Sequence, residues 1–173
     1  MQNNLNNASI IGGIGSILTV LGVFPFGIIG IILILIALNQ YSKILNNPSI
    51  FQFGSRWGII LLASVVISIL LIGISAVSGN NTFWLVITVA VLYVASIYAV
   101  ADFEKALIEI SVALNHKLFR TAGTTIFIGT LLLPLIIPIL LIFAGFVILA
   151  IAFFTAPKEL EIIDNIHAIK SDT

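Results

Sequence analysis

The chain has 173 residues, 60% of them hydrophobic and only 8% charged, with seven basic and seven acidic side chains and no cysteine. So little charge excludes an ordinary water-soluble domain, which carries about 25% charged residues, and makes lipid the expected solvent. A net charge of zero offers nothing to nucleic acid, and the absent cysteines exclude disulfides, thiolate metal sites and cysteine nucleophiles.

The N-terminus, Met1-Gln-Asn-Asn-Leu-Asn-Asn7, lacks the positive region of a signal peptide, so the first apolar segment is expected to remain as a membrane helix. An uncharged stretch follows from Ile10 to Leu38, broken by Pro25. As one helix it would be about 29 residues and roughly 43 Å long at 1.5 Å per residue, long for a hydrocarbon core of about 30 Å. Splitting it at the proline predicts helices over 5–23 and 26–43. Residues 58–78 and 83–101 each fit a spanning helix, and Gly79-Asn80-Asn81 between them is turn chemistry. A second uncharged stretch, Thr124 to Phe154, is broken by Pro134 and Pro138 and predicts helices over 118–136 and 138–156. The expected fold is all-α, a polytopic transmembrane helical bundle of six membrane segments forming one domain over 1–173.

The two proline-broken stretches resemble each other. Ala8-Ser9 and Ala122-Gly123 open them, Gly15 and Gly129 follow with Leu18 and Leu132 three residues on, and Ile36-Ala37 and Ile151-Ala152 close them. This reads as a duplicated helical hairpin. Its first helices run in the same direction, so a pseudo-two-fold along the membrane normal is expected.

Every Lys and Arg falls on one side of this arrangement: Lys43 and Arg56 after the second helix, Lys105, Lys117 and Arg120 around the connection after the fourth, Lys158 and Lys170 in the tail. The positive-inside rule makes that side cytoplasmic, with both termini inside. A re-entrant hairpin at either proline turn gives the same sidedness and stays open as an alternative, as does a kinked single helix. The connection 102–117 is amphipathic. Phe103, Leu107, Ile110 and Leu114 share one face while Asp102, Lys105, Glu109 and His116 take another, with Asp102–Lys105 and Lys105–Glu109 spaced to pair. It reads as an interfacial helix or a helical stalk leading into the fifth span. The tail 157–173 is polar, either a weak surface helix or disordered.

Few residues in this chain carry chemistry. Ala8, Gly12 and Ser16, Ser9 and Gly13, and Thr121, Thr125 and Gly129 form small-residue lines, which let helix backbones approach. Ser64, Ser68, Ser75 and Ser78, then Thr88, Tyr93, Ser96 and Tyr98, place hydroxyls in the third and fourth helices. They can line a polar path or bond back to helix carbonyls. No ionisable residue lies near the middle of a span, which argues against a proton- or ion-coupled pump; Asp102, at an inner boundary, comes closest. His116 and His167 belong to no HExxH-like pattern, Gly12-Gly13-Ile14-Gly15 is no phosphate loop, and Glu159, Glu161, Asp164 and His167 read as a solvated tail. Trp57 and Trp84 stand at opposite ends of the central pair, where aromatic anchors belong. No catalytic, cofactor-binding or metal-ligating residue is assigned.

Ile11-Gly12-Gly13-Ile14-Gly15-Ser16-Ile17-Leu18 and Gly30-Ile31-Ile32-Leu33-Ile34-Leu35-Ile36-Ala37 resemble the N-terminal part of a family of small prokaryotic, largely archaeal membrane proteins classed as domain of unknown function 996. Leu118-Phe119-Arg120-Thr121-Ala122-Gly123, Ile128-Gly129-Thr130-Leu131-Leu132 and Ala150-Ile151-Ala152-Phe153-Phe154 resemble its C-terminal part. The resemblance implies an integral membrane protein and supplies no activity, cofactor or site residue.

The expected role is a non-catalytic structural or accessory membrane component, or a small subunit of a larger membrane assembly. Its partners would be the bilayer and other membrane subunits or a second copy of itself. The alternative is a channel or uncoupled transporter for a small neutral solute, using the cleft between the duplicated hairpins. A membrane enzyme ranks third, and would need Asp102, Glu109 and His116 to cluster at the inner interface.

Overall fold

A computed structural model of the chain describes residues 2–21, 26–78, 81–135 and 139–156. Among the described residues six α-helices follow one another: α1 Gln2–Leu21, α2 Phe26–Ile44, α3 Pro48–Ser78, α4 Asn81–Ala113, α5 Lys117–Leu131 and α6 Ile139–Thr155, with a 3-10 turn over Leu133–Leu135. α2, α3 and α4 are long and apolar enough to cross a membrane; α1 and α6 supply shorter apolar stretches, Leu5–Leu21 and Ile139–Thr155.

The helices form three hairpins, α1–α2, α3–α4 and α5–α6. α2 also packs on α3, α4 on α5 and α6 on α1, so the hairpins close into a ring. These joints are head-to-tail, the second helix of one hairpin against the first of the next, the kind of interface that generates rings. That corrects the expected pseudo-two-fold. A two-fold relating the first hairpin to the third would match every α1–α6 contact with an α5–α2 contact, whereas α2 turns to α3 and α5 to α4.

Glycines set the close approaches. A β-carbon on Gly15 would stand 2.9 Å from the Gly30 carbonyl and the Ile34 amide, and one on Gly129 would stand 2.9 Å from the Ile142 amide. Gly12 and Gly13 bring α1 against the rings of Phe153 and Phe154. In α1 the small-residue line is therefore a packing surface, as expected. In α5 the buried face runs through Ala122, Gly123, Ile126, Gly129 and Thr130. Thr121 is exposed there and bonds the Lys117 carbonyl, so the Thr121–Thr125–Gly129 line is not the packed one. The larger Phe119 and Ile126 face inward instead.

Two identical turns break the helices at the charged end. Asn46 and Asn115 both adopt φ 49°, the left-handed conformation that commonly ends helices. In each, the next amide reaches back five residues: Asn47 N–H to Ser42 O and His116 N–H to Ser111 O, both 3.0 Å. The second turn ends α4 at Ala113, so the helix does not run on as a stalk into α5. After the first turn, the Asn47 carboxamide oxygen accepts the Ser49 N–H at 3.1 Å and Pro48 takes a first helical position, where its missing N–H costs nothing. α3 thus begins ten residues before the expected 58, and Arg56 lies within a helix rather than in a loop.

The core lies toward that same end. Tyr41, Phe119 and Phe153 meet with ring centroids 5.1–6.1 Å apart, and Leu5, Ala8, Ile50, Phe103 and Ile110 are buried around them. The distal halves of α3 and α4 expose Ile69, Leu70, Ile72, Val77, Leu85, Val86 and Val89. Such a continuous apolar surface is rare on a soluble monomer.

Candidate functional site

All six helices contribute to one cavity on the axis of the ring. It has a volume of about 270 Å³ and is lined by Thr19, Ile31, Trp57, Leu61, Ser96, Val100, Phe103, Ile126, Thr130, Leu133, Ile142 and Phe146. Its three hydroxyls are turned away into their own helices. Thr19 donates to Gly15 O at 2.8 Å, Ser96 to Leu92 O at 2.7 Å and Thr130 to Ile126 O at 2.9 Å. The wall is therefore mostly aliphatic groups and rings, with the Trp57 indole its other polar side chain. Trp57 stacks on Phe103 with centroids 4.3 Å apart, and Phe146 follows Phe103 at 6.4 Å. Trp57 is only 2% exposed, so it is a core residue and not the boundary anchor its position in the sequence indicates. The flanking hairpins surround it.

The cavity adjoins a larger groove of about 630 Å³ along α4, lined by Leu85, Val86, Val89, Ala90, Leu92, Tyr93, Ser96, Leu133 and Pro134. Ser96 and Leu133 belong to both. Tyr93 fixes the groove wall. Its hydroxyl donates to the Leu131 carbonyl at 2.7 Å, satisfying an acceptor that the end of α5 leaves open.

Polar groups gather at the opposite, charged end, and each is engaged separately. Asp102 pairs with Lys105 at 3.1 Å, as the spacing indicates. Glu109 accepts from the Asn47 carboxamide at 2.9 Å rather than from Lys105, and Glu104 accepts from Thr124 at 2.8 Å. His116 Nε2 meets Thr155 Oγ1 at 3.4 Å while its Nδ1 is buried without a partner. Burial pushes the His116 pKa below its ordinary value. Asp102, Glu109 and His116 thus serve three different joints: α4 itself, the α2–α3 turn and α6. Their carboxylates and imidazole tie elements together rather than converge on a reacting atom. Among the described residues no group of three or more His, Asp or Glu side chains is placed to hold a metal. The tail residues Glu159, Glu161, Asp164 and His167, and the turn residues Phe24, Pro25, Asn80, Ile136 and Pro138, lie outside the described residues.

Sequence reasoning missed how the cavity is lined. Its lining comes from six separate helices, and its stacked pair, Trp57 and Phe103, lies on two helices whose register the sequence does not give.

The family described as "Protein of unknown function (DUF996)" matches residues 26–153. An uncharacterised protein of the archaeon Methanocaldococcus jannaschii is 31% identical over 176 residues, covering 93% of this chain and 98% of the relative. No solved structure matches. The chain belongs to the DUF996 family.

Proposed function

We propose that this DUF996 member is a multi-pass, non-catalytic structural or accessory component of the cell membrane, with six embedded helices, both termini cytoplasmic and a place in a larger membrane assembly. The observation that carries the reading is where the hydroxyls of α3 and α4 go. Ser64 donates to Leu61 O, Ser68 to Ser64 O, Thr88 to Trp84 O and Ser96 to Leu92 O, all at 2.7–2.8 Å. A water-filled path for a neutral solute needs such groups turned toward it; satisfied within their own helices, they supply packing instead. The channel alternative loses its lining on this ground. The scattering of Asp102, Glu109 and His116 among three joints likewise supports the non-catalytic reading.

Sidedness follows from the basic residues. Lys43, Arg56, Lys105, Lys117 and Arg120 all belong to the end that carries the two asparagine turns, which the positive-inside rule makes cytoplasmic. A duplicated hairpin is supported by equivalent contacts: Ser16 donates to Gly12 O as Thr130 does to Ile126 O, and both hydroxyls are buried.

The test is purification of the tagged full chain from native membranes in mild detergent, followed by native mass spectrometry. A fixed-stoichiometry complex is expected. A lone monomer that admits glycerol into proteoliposomes would replace this reading with the channel.

A further inference from the structure

We infer that the central cavity is a binding site for the hydrocarbon chain of a membrane lipid, entered sideways from the bilayer between Ser96 and Leu133. The inference rests on the membrane reading above and goes beyond it by naming a ligand class and a route.

Three observations converge. First, the cavity wall is almost wholly apolar: Thr19, Ser96 and Thr130 spend their hydroxyl protons on helix carbonyls, and the Trp57 indole, 2% exposed, is the one other polar side chain in it. Water enters a cavity only where it finds two to four polar partners, and apolar cavities stay dry and take up apolar guests. Second, the space is not sealed. Ser96 and Leu133 line both the cavity and the groove on α4, and the groove is flanked by the exposed Leu85, Val86 and Val89. That face belongs to one of the helices long and apolar enough to cross a membrane, so what reaches the mouth is lipid tail. Third, the mouth has fixed walls: the Tyr93–Leu131 hydrogen bond ties α4 to the end of α5 beside it. A thin aliphatic chain, acyl or isoprenoid, suits a space of about 270 Å³ whose wall includes the Trp57–Phe103–Phe146 rings. The headgroup would stay outside, in the groove or beyond it.

The chain's two tryptophans separate this inference from the membrane reading. The full-length protein is reconstituted into vesicles of phosphatidylcholine brominated along the acyl chain, which quenches tryptophan by contact. The Trp57→Phe variant leaves Trp84, at the distal tip of the α3–α4 hairpin, as the reporter of embedding. The Trp84→Phe variant leaves Trp57, enclosed by protein, as the reporter of the cavity. Both are expected to lose emission relative to unbrominated vesicles. Adding Ser96→Leu to the Trp57 reporter should plug the mouth and restore its emission, while Trp84 quenching is unaffected by the same plug. If Ser96→Leu lowers helical content, Leu133→Phe at the same junction replaces it. Quenching of Trp84 without Trp57 overturns the inference and leaves the membrane reading standing. Quenching of Trp57 that survives a folded plug variant also overturns it, since the ring is then reached by another route. Quenching of neither removes the membrane reading itself.

Discussion

One added methyl group separates the glycines of this bundle. At Gly15 it would meet backbone, the Gly30 carbonyl and the Ile34 amide at 2.9 Å, and backbone in a helix pair yields only by moving the pair apart. At Gly73 it would meet nothing within 4 Å. Gly15→Ala is therefore expected to cost about 1–3 kcal/mol by overpacking. Gly73→Ala should cost nothing and gain up to about 1 kcal/mol from helix propensity. Reversible unfolding in mixed micelles, followed by circular dichroism, measures both. His116 gives a second prediction at this scale. Burial holds its folded pKa below the ordinary 6.5, so the unfolded chain binds the proton more readily. Stability is then full above that ordinary value, falls as pH drops toward the folded pKa, and levels off below it. The midpoint of thermal unfolding should fall between pH 7 and 5 in the parent, and less in His116→Gln. An equal fall in both proteins would assign the loss to other groups.

At the scale of elements, the asparagine turns decide where helices stop. Asn46 and Asn115 share φ 49° and the same five-residue return hydrogen bond. Both follow the pattern Ser-x-x-Leu-Asn, in Ser42–Asn46 and Ser111–Asn115. A β-branched side chain pays about 1–2 kcal/mol in that conformation, so Asn115→Val should destabilise by that amount and Asn115→Gly should not, measured by the same unfolding assay. The apolar runs made both ends of α2 and the start of α4 legible within two residues, while α4 runs on to Ala113, past the expected 101. The start of α3 was hidden, because Asn47-Pro48 reads equally as loop and as the cap and first position of a helix. Only the Asn47 contacts to Ser49 and Glu109 decide it. Trp57 was misread for a related reason. An aromatic at the end of an apolar run belongs at an interface or in a core, and the difference lies in what the neighbouring hairpins cover. A cleft between the duplicated hairpins was expected, but the cavity's lining was beyond reach, since no pair of its helices announces the other four.

For the whole molecule, the unequal length of the three hairpins is the feature with the largest consequence. α3 and α4 have 31 and 33 residues against 19 for α2 and 15 for α5. Register comes from the contacts: Gly54 faces Leu38, Gly58 faces Leu35, and Tyr93 reaches Leu131 at the end of α5. The start of α2 therefore stands beside the middle of α3. The α3–α4 hairpin continues alone for about 12 residues, or roughly 18 Å at 1.5 Å per residue. If Val77 and Thr82 reach the outer interface, the facing ends of α2 and α5, at Phe26 and Leu131, lie within the hydrocarbon, which is about 30 Å thick. Non-helical backbone at that depth needs cover from protein, and the cavity rim around Leu133 lies beside α4. Single cysteines in this cysteine-free chain test the depth with an impermeant thiol reagent applied outside intact cells. Val77→Cys, 90% exposed near the tip, should label. Leu21→Cys and Leu133→Cys, beside the proline turns, should stay protected until the membrane is solubilised, and Asn46→Cys and Asn115→Cys should label only from inside. Labelling of Leu21→Cys and Leu133→Cys from outside would mean six full crossings and a bilayer thinned around the short hairpins. Their protection would mean two half-depth hairpins dipping from the cytoplasmic face against one that crosses. The lipid-lined mouth at Ser96 would then open at mid-membrane, where only the tail of a lipid can reach it.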